Sequence, residues 1–277
     1  SIKEYELIKD GDRIAVCISG GKDSMLMAKL FQELYRYGCF WPGFYESCQR
    51  NLIPEAEKHY YVFTDQEADI PQAENVEVFH QDDMGWPLNS LFRFKMFNRI
   101  KELLIDNDYL FFFNSNAQIV KSVCATDILP QKEDYSAMCI ETDVNKMGHE
   151  HRVKSAACVH YGEAQYYFSG ALNGGKTSPF LELIDSCNNI VDTDLNNGIM
   201  PIWHDESVIN RFLAGKNVKI MYRDMGKPAN WREPKDAKII LRRKEDILGR
   251  SWLRNYKGRE HTNTWIRKLL RKLHLIK

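Results

Sequence analysis

No Cys-x-x-Cys pair occurs in the 277 residues, although seven cysteines are present at positions 17, 39, 48, 124, 139, 158 and 187. That absence excludes a zinc ribbon or an iron–sulfur cluster held by paired thiolates. The odd, scattered count speaks against a disulfide framework, so buried thiols in a reducing compartment are the simplest account. Glycine (16) and proline (9) are too scarce for a collagen-like or low-complexity chain. No apolar run approaches the roughly 20 residues needed to cross a bilayer, and no signal-peptide pattern opens the chain. The expectation is a soluble, cytoplasmic protein. Net charge is missing too, with 38 Lys+Arg against 38 Asp+Glu, but the balance is uneven along the chain. Residues 242–277 hold 12 basic and 3 acidic side chains, and the remainder 26 and 35. An acidic body thus carries a basic tail, and no nucleic-acid partner is expected for that body.

A hydrophobic content of 44% with 12% aromatics supports a packed core. The length suits one large α/β domain or two small ones. The stretch Asp108-Tyr-Leu-Phe-Phe-Phe-Asn-Ser-Asn116 is an apolar aromatic run that stops at small polar residues. It predicts a strand buried on both faces. In open α/β sheets ligands bind just past the carboxyl ends of such strands. Asn114 and Asn116 alternate in phase, so both side chains can leave the strand end on one side. An Asp-x-Asp there would suggest a divalent metal. The neutral amide pair keeps the shape without the charge and makes a poor magnesium or manganese site, so no metal is expected.

Near the start, residues 13–18 read as a buried strand, Ser19-Gly20-Gly21-Lys22-Asp23-Ser24 as a tight turn, and residues 24–37 as a helix. Strand, glycine loop and helix together present backbone N–H groups to a phosphate. This hexapeptide resembles the pyrophosphate-binding loop of the ATP pyrophosphatase superfamily. Residues 1–38 resemble the beginning of tRNA 2-thiocytidine synthetases. The resemblance implies an ATP-phosphate contact at Lys22 and Ser24. It ends near residue 38, and the cysteine pairs of those enzymes are absent.

Further along, Phe40 to Tyr45 opens a helix, His59 to Asp65 and Asn75 to His80 read as strands, Gly85-Trp86-Pro87 as a turn, and Leu91 to Leu104 as one helix. Together with Tyr166-Tyr-Phe-Ser-Gly-Ala-Leu-Asn-Gly-Gly175 and Trp203-His-Asp-Glu-Ser207, these segments resemble glycosyltransferase family six, the family of the blood-group A and B transferases. The resemblance spans about 40–277, and the Asn-x-Asn form is similar to its bacterial, metal-independent branch. It implies an α/β fold of GT-A type: a mixed, mainly parallel sheet flanked by helices, with the nucleotide at the strand carboxyl ends. The implied division is a 1–38 segment starting the same domain, a 39–241 transferase domain and a 242–277 basic tail.

The resemblance also implies a retaining transfer of galactose or N-acetylgalactosamine in α-1,3 linkage from a UDP-sugar to a glycan such as a fucosylated galactoside. Glu206 is then the catalytic carboxylate, with Asp205 beside it. The donor would be met by Asn114, Asn116, Asp65, Arg93, Ser169, Gly170, Ala171, Trp203 and His204, without a cofactor. Retaining chemistry needs a carboxylate that attacks the anomeric carbon or stabilises its oxocarbenium-like transition state. Out of context, Asp205-Glu206 reads as an acidic helix start.

Gly170 to Thr177 also satisfies the Walker A expression. It is set aside because the glycine-rich turn already has a place in the transferase pattern. Arg242, Arg243, Lys244, Arg250 and Arg254 are candidates to neutralise the departing diphosphate. Residues 264–277 form a basic amphipathic pattern, suited either to a docked terminal helix or to peripheral contact with an anionic membrane. His149, His151 and His160 lack completing ligands and read as solvated loop histidines.

Three segments depart from the family: the start, Ile140 to Val153, and Tyr222 to Ala229. All but the first fall on the acceptor side. Two readings of other classes therefore stand beside the transferase: a catalytically silent sugar-nucleotide-binding domain, and an ATP-binding enzyme using Ser19 to Ser24.

Overall fold

The computed structural model describes residues 40–84, 87–222, 225–228 and 236–243. The pyrophosphatase-like loop, Gly85 and Trp86, part of the Tyr222 to Ala229 segment, and the tail beyond Arg243 lie outside the described residues. So does the amphipathic pattern at 264–277.

Helix α1 (Trp41–Asn51) starts where expected and carries Pro42 in its first turn, where a missing N–H is harmless. Strands β1 (Tyr60–Thr64) and β2 (Val76–His80) pair in parallel. The expected single helix over 91–104 is three short ones: α2 (Leu88–Leu91), α3 (Arg93–Arg99) and α4 (Lys101–Leu104). The burial pattern explains the breaks. Leu91 and Phe94 bury one side, whereas Met96, Ile100 and Leu104 fall on roughly the opposite side of an uninterrupted helix. Only a chain that turns at Phe92 and Ile100 buries both sets.

Strands β3 (Tyr109–Phe113) and β4 (Ala117–Ile119), helix α5 (Ala125–Ile128) and strand β5 (Tyr135–Glu141) follow. The central strand is β6 (Tyr167–Lys176), which runs directly into the 20-residue helix α6 (Thr177–Asn196). Helix α7 (Asp205–Leu213) and strands β7 (Val218–Met221), β8 (Gly226–Pro228) and β9 (Ile239–Leu241) complete the described elements.

The main sheet has the order β3-β6-β5-β7, beside a β4-β9-β8 sheet and the β1-β2 pair. Three strand pairings are parallel and three antiparallel, so the architecture is mixed α/β, not mainly parallel. The reason lies in β6, which is antiparallel to both its neighbours. β3 is not buried on both faces either. It pairs only with β6 among the described residues, and Tyr109 is exposed.

Alternation along the strands splits the core. Tyr135, Ala137 and Cys139 of β5 face one cluster with Phe180, Leu183, Ile184, Cys187 and Val191 of α6. Those α6 positions fall at helical spacing. Met138 faces the other cluster, with Phe44, Cys48 and Ile119. Gly174 and Gly175 are strand residues, not a turn. A β-carbon on Gly174 would lie 2.3 Å from the Phe111 ring, and one on Gly175 2.4 Å from the Asp134 carbonyl oxygen. They let three strands close up, and this continuous strand removes the Walker A reading. Of the described cysteines, Cys48, Cys139, Cys158 and Cys187 are buried as expected, while Cys124 is exposed.

Candidate active site

The site begins with an irregularity in β6. Asn173 pairs with Ala137 and Phe168 with Cys139, so five positions along β6 match two along β5. The bulge frees the main chain around Gly170 from the β5 ladder, and bulges commonly re-aim groups beside active sites. The Gly170 N–H donates to Glu206 Oε2 at 2.7 Å, and the Gly170 carbonyl accepts from Arg93 Nη1 at 2.7 Å.

Helix α7 supplies the acids from its first turn, where the helix dipole favours them. Asn210 fixes the helix to the bulged strand. Its Oδ1 accepts from Phe168 N at 2.9 Å, and its Nδ2 donates to the Phe168 and Glu206 carbonyls at 2.8 Å each. His204 precedes the helix with φ 53° and ψ −122°, a region that strains any residue with a β-carbon.

Glu206 is held at both oxygens: Oε1 accepts from the Tyr167 hydroxyl at 2.7 Å and Oε2 from Gly170. Burial raises its pKa. The two hydrogen bonds and Arg93 act against that shift, and Asp205 adds to it. Tyr167 is pushed up as well, first by burial and then by the Glu206 charge. Asp205 Oδ2 pairs with Arg93 Nη1 at 2.9 Å. Arg93 is 4% exposed and lies over the Phe112 ring at 4.2 Å. Among the described residues its Nε and Nη2 have no hydrogen-bond partner. Burial depresses its pKa, but a guanidinium stays charged, so two donors stand beside the cleft unmatched.

One cleft is lined by Asp65, Arg93, Asn114, Ser169, Gly170, Ala171, Trp203, His204, Asp205 and Glu206. The carboxyl ends of β1 and β3 open onto it. Asn116 is the exception among the proposed donor contacts. Its Nδ2 donates to the Arg242 carbonyl at 2.7 Å, and its own carbonyl accepts from Arg242 N. The turn at Asn114, whose carbonyl accepts from Ala117 N, breaks the strand alternation that would have aligned the two amides. The Arg242 guanidinium lies over the Phe40 ring and donates to the Phe40 carbonyl at 3.0 Å.

Among the described residues no group of three or more His, Cys, Asp or Glu side chains is placed to hold a metal. The histidines of the altered segment are not all solvated. His149 is 5% exposed, and His151 Nδ1 lies 2.7 Å from the Val159 carbonyl. Only His160 is the exposed loop histidine expected.

The family model for glycosyltransferase family 6 matches residues 29–244. The chain belongs to glycosyltransferase family 6. It is 36% identical over 226 residues to the O-antigen biosynthesis glycosyltransferase WbnI of Escherichia coli, covering 80% of this chain and 94% of that protein. It is 25% identical over 186 residues to histo-blood group ABO system transferase 1 of Rattus norvegicus, covering 64% of this chain and 53% of that protein. It is 27% identical over 217 residues to globoside alpha-1,3-N-acetylgalactosaminyltransferase 1 of Gallus gallus, covering 74% and 62%. The chain thus spans little more than half of those vertebrate proteins. A separate match of 34 residues is 53% identical to the tRNA-cytidine(32) 2-sulfurtransferase of Aliivibrio fischeri, covering 12% of this chain and 11% of that protein.

Membership in family 6 implies a nucleotide-sugar donor and a glycan acceptor. Among the described residues no helix is long and apolar enough to cross a membrane. The expected site residues Arg93, Gly170, Asp205 and Glu206 are brought together in the structure. Sequence reading did not single out Tyr167 and Asn210, which hold Glu206 and its helix. Asn210 lies four residues after Glu206 on the same helix face, which was the available signal.

Proposed function

We propose that this family 6 chain is a retaining, metal-independent transferase that moves galactose or N-acetylgalactosamine from a UDP-sugar to a glycan in α-1,3 linkage. The single observation that carries the reading is the fixed Glu206 carboxylate beside the Asp205–Arg93 pair in a cleft that Asn114 also enters. The GT-A arrangement, with the 1–38 segment starting the domain and the tail closing it, is part of the same proposal.

In this reading Glu206 works ionised, beneath the anomeric carbon and opposite the leaving diphosphate. One donor on each oxygen keeps the carboxylate still and weakens it as a nucleophile. Electrostatic stabilisation of an oxocarbenium-like centre therefore suits it better than covalent attack. Arg93 offers Nε and Nη2, which have no partner among the described residues, to donor hydroxyls and keeps Asp205 in place. Asn114 meets the diphosphate with an amide, and Arg242, whose guanidinium lies over the cleft-lining Phe40, supplies positive charge. The acceptor enters past Trp203, which is 55% exposed. The names of WbnI and the vertebrate transferases agree with sugar transfer to a glycan.

The test is release of UDP from UDP-galactose and UDP-N-acetylgalactosamine, in EDTA, with and without a fucosylated galactoside. Acceptor-stimulated release with an α-1,3 product supports the reading. Donor binding without release leaves the silent binding domain. The 34-residue match favours a second reading, in which Ser19 to Ser24 bind ATP. Tight binding of ATP with none of UDP would select it.

A further inference from the structure

One segment that departs from the family pattern, around residues 148–153, packs beside the site. Glu150 is 1% exposed. Its carboxylate takes two hydrogen bonds from the Arg152 side chain and accepts from Ile202 N at 3.0 Å. Ser155 Oγ donates to the fully buried Asp194 at 2.6 Å, and Val159 N donates to the Glu150 carbonyl at 2.7 Å. A β-carbon on Gly148 would lie 3.2 Å from Trp203 Nε1, so the segment also touches the cleft wall.

From it a run of rings leads inward. The exposed Tyr161 stacks on His151 at 4.4 Å, His151 meets His149 edge-on at 6.1 Å, and His149 meets Tyr167 edge-on at 5.1 Å. The Tyr167 hydroxyl then holds Glu206. The polar group that acts on the imidazole from β6's side is the Tyr166 main chain. Of the two rings that meet His149, Tyr167 is the nearer.

We propose that His149 is a positioning residue for transfer: its ring fixes the Tyr167 ring, and through the phenol it fixes Glu206. The inference rests on the transferase reading above. The groups that face His149 are His151 on its own segment, Tyr167 of β6, the Tyr166 main chain just before it and, behind the phenol, Glu206 of α7. Burial and His151 lower the imidazole pKa, with the Tyr166 main chain opposing, so the ring that packs on Tyr167 is neutral.

The experiment compares H149A, H149F and wild type for kcat and donor KM in UDP-sugar turnover, with a thermal melt of each. The expected result is a kcat about tenfold or more below wild type for H149A, at a donor KM changed less than twofold, because a misplaced carboxylate is felt in the transition state. H149F, which keeps the ring edge, restores most of kcat. Should alanine unfold the chain, H149L takes its place with the same expectation. An alanine or leucine variant with wild-type kcat, or a phenylalanine variant as slow as alanine, overturns the proposal. Absence of turnover in wild type sinks the transferase reading and this inference with it. Turnover in wild type with indifference at position 149 sinks only this inference.

Discussion

Arg93 and Asp205 form a buried ion pair, Nη1 to Oδ2 at 2.9 Å, with side-chain exposures of 5% and 14%. Removing one partner leaves an uncompensated buried charge, which costs more than the intact pair contributes. D205N should therefore lose about 3–5 kcal/mol in urea unfolding. The double variant D205N/R93M, which replaces the cation with an apolar chain, should regain most of that loss. Turnover should be absent from both. A D205N variant as stable as wild type would show that the guanidinium finds another partner.

Glu206 links stability to pH in a defined direction. Its folded-state pKa is raised, mainly by burial. Stability from this group is therefore fully present below the unfolded carboxylate value and is lost as pH rises through the raised folded value. E206Q, which cannot ionise, should melt higher than wild type at neutral and alkaline pH and not at acidic pH. Its turnover should fall by about 100-fold or more, while UDP affinity stays within about twofold. Melting curves across pH, with UDP-release rates, check both halves.

At Gly170 the glycine is required by close approach. A β-carbon there would lie 2.9 Å from Asp205 Oδ2 and 3.6 Å from Glu206 Oε2. G170A should displace Asp205, lower kcat and destabilise by about 1–3 kcal/mol. Steady-state kinetics and denaturant titration give the two numbers. Unchanged kinetics would mean that the acids tolerate the shift.

Asn114 and Asn116 should respond differently to the same change. Asn116 donates to the Arg242 carbonyl, and a carboxylate cannot. N116D should cost about 1–3 kcal/mol of stability. N114D, at a residue that lines the cleft, should leave the melting temperature nearly unchanged and weaken UDP binding by charge repulsion. Manganese should not be required by wild type, which a full rate in EDTA would confirm.

The strands β1 and β2 and the helix from Trp41 were legible because apolar periodicity and a local proline signal are short-range. Gly170, Asp205 and Glu206 were legible through a pattern that encodes their mutual approach. The break of the 91–104 helix was less so, because it brings positions on different sides of a straight helix into one core that only the packing reveals. Strand direction in the main sheet was misjudged for a related reason. Pairing of β6 with β3 and β5 is settled by glycines that admit Phe111 and Asp134, and a glycine pair in sequence reads equally well as a turn. Asn116 followed strand alternation on paper. In the fold, a tight turn at Asn114 sends it to Arg242 instead. His149 was read as solvated because histidine in a polar stretch gives no sign of the aromatic neighbours waiting on another strand.

The central claim is that the cleft at Arg93, Asn114 and Glu206 takes a UDP-sugar. Titration calorimetry of UDP, UDP-galactose and ATP into the wild-type chain in EDTA, repeated with R93M, tests it most directly. The account predicts UDP and UDP-galactose binding in the micromolar to millimolar range typical of enzyme substrates, weakened for the sugar nucleotide by R93M. Binding of ATP with none of UDP, or UDP-galactose affinity indifferent to R93M, would contradict it.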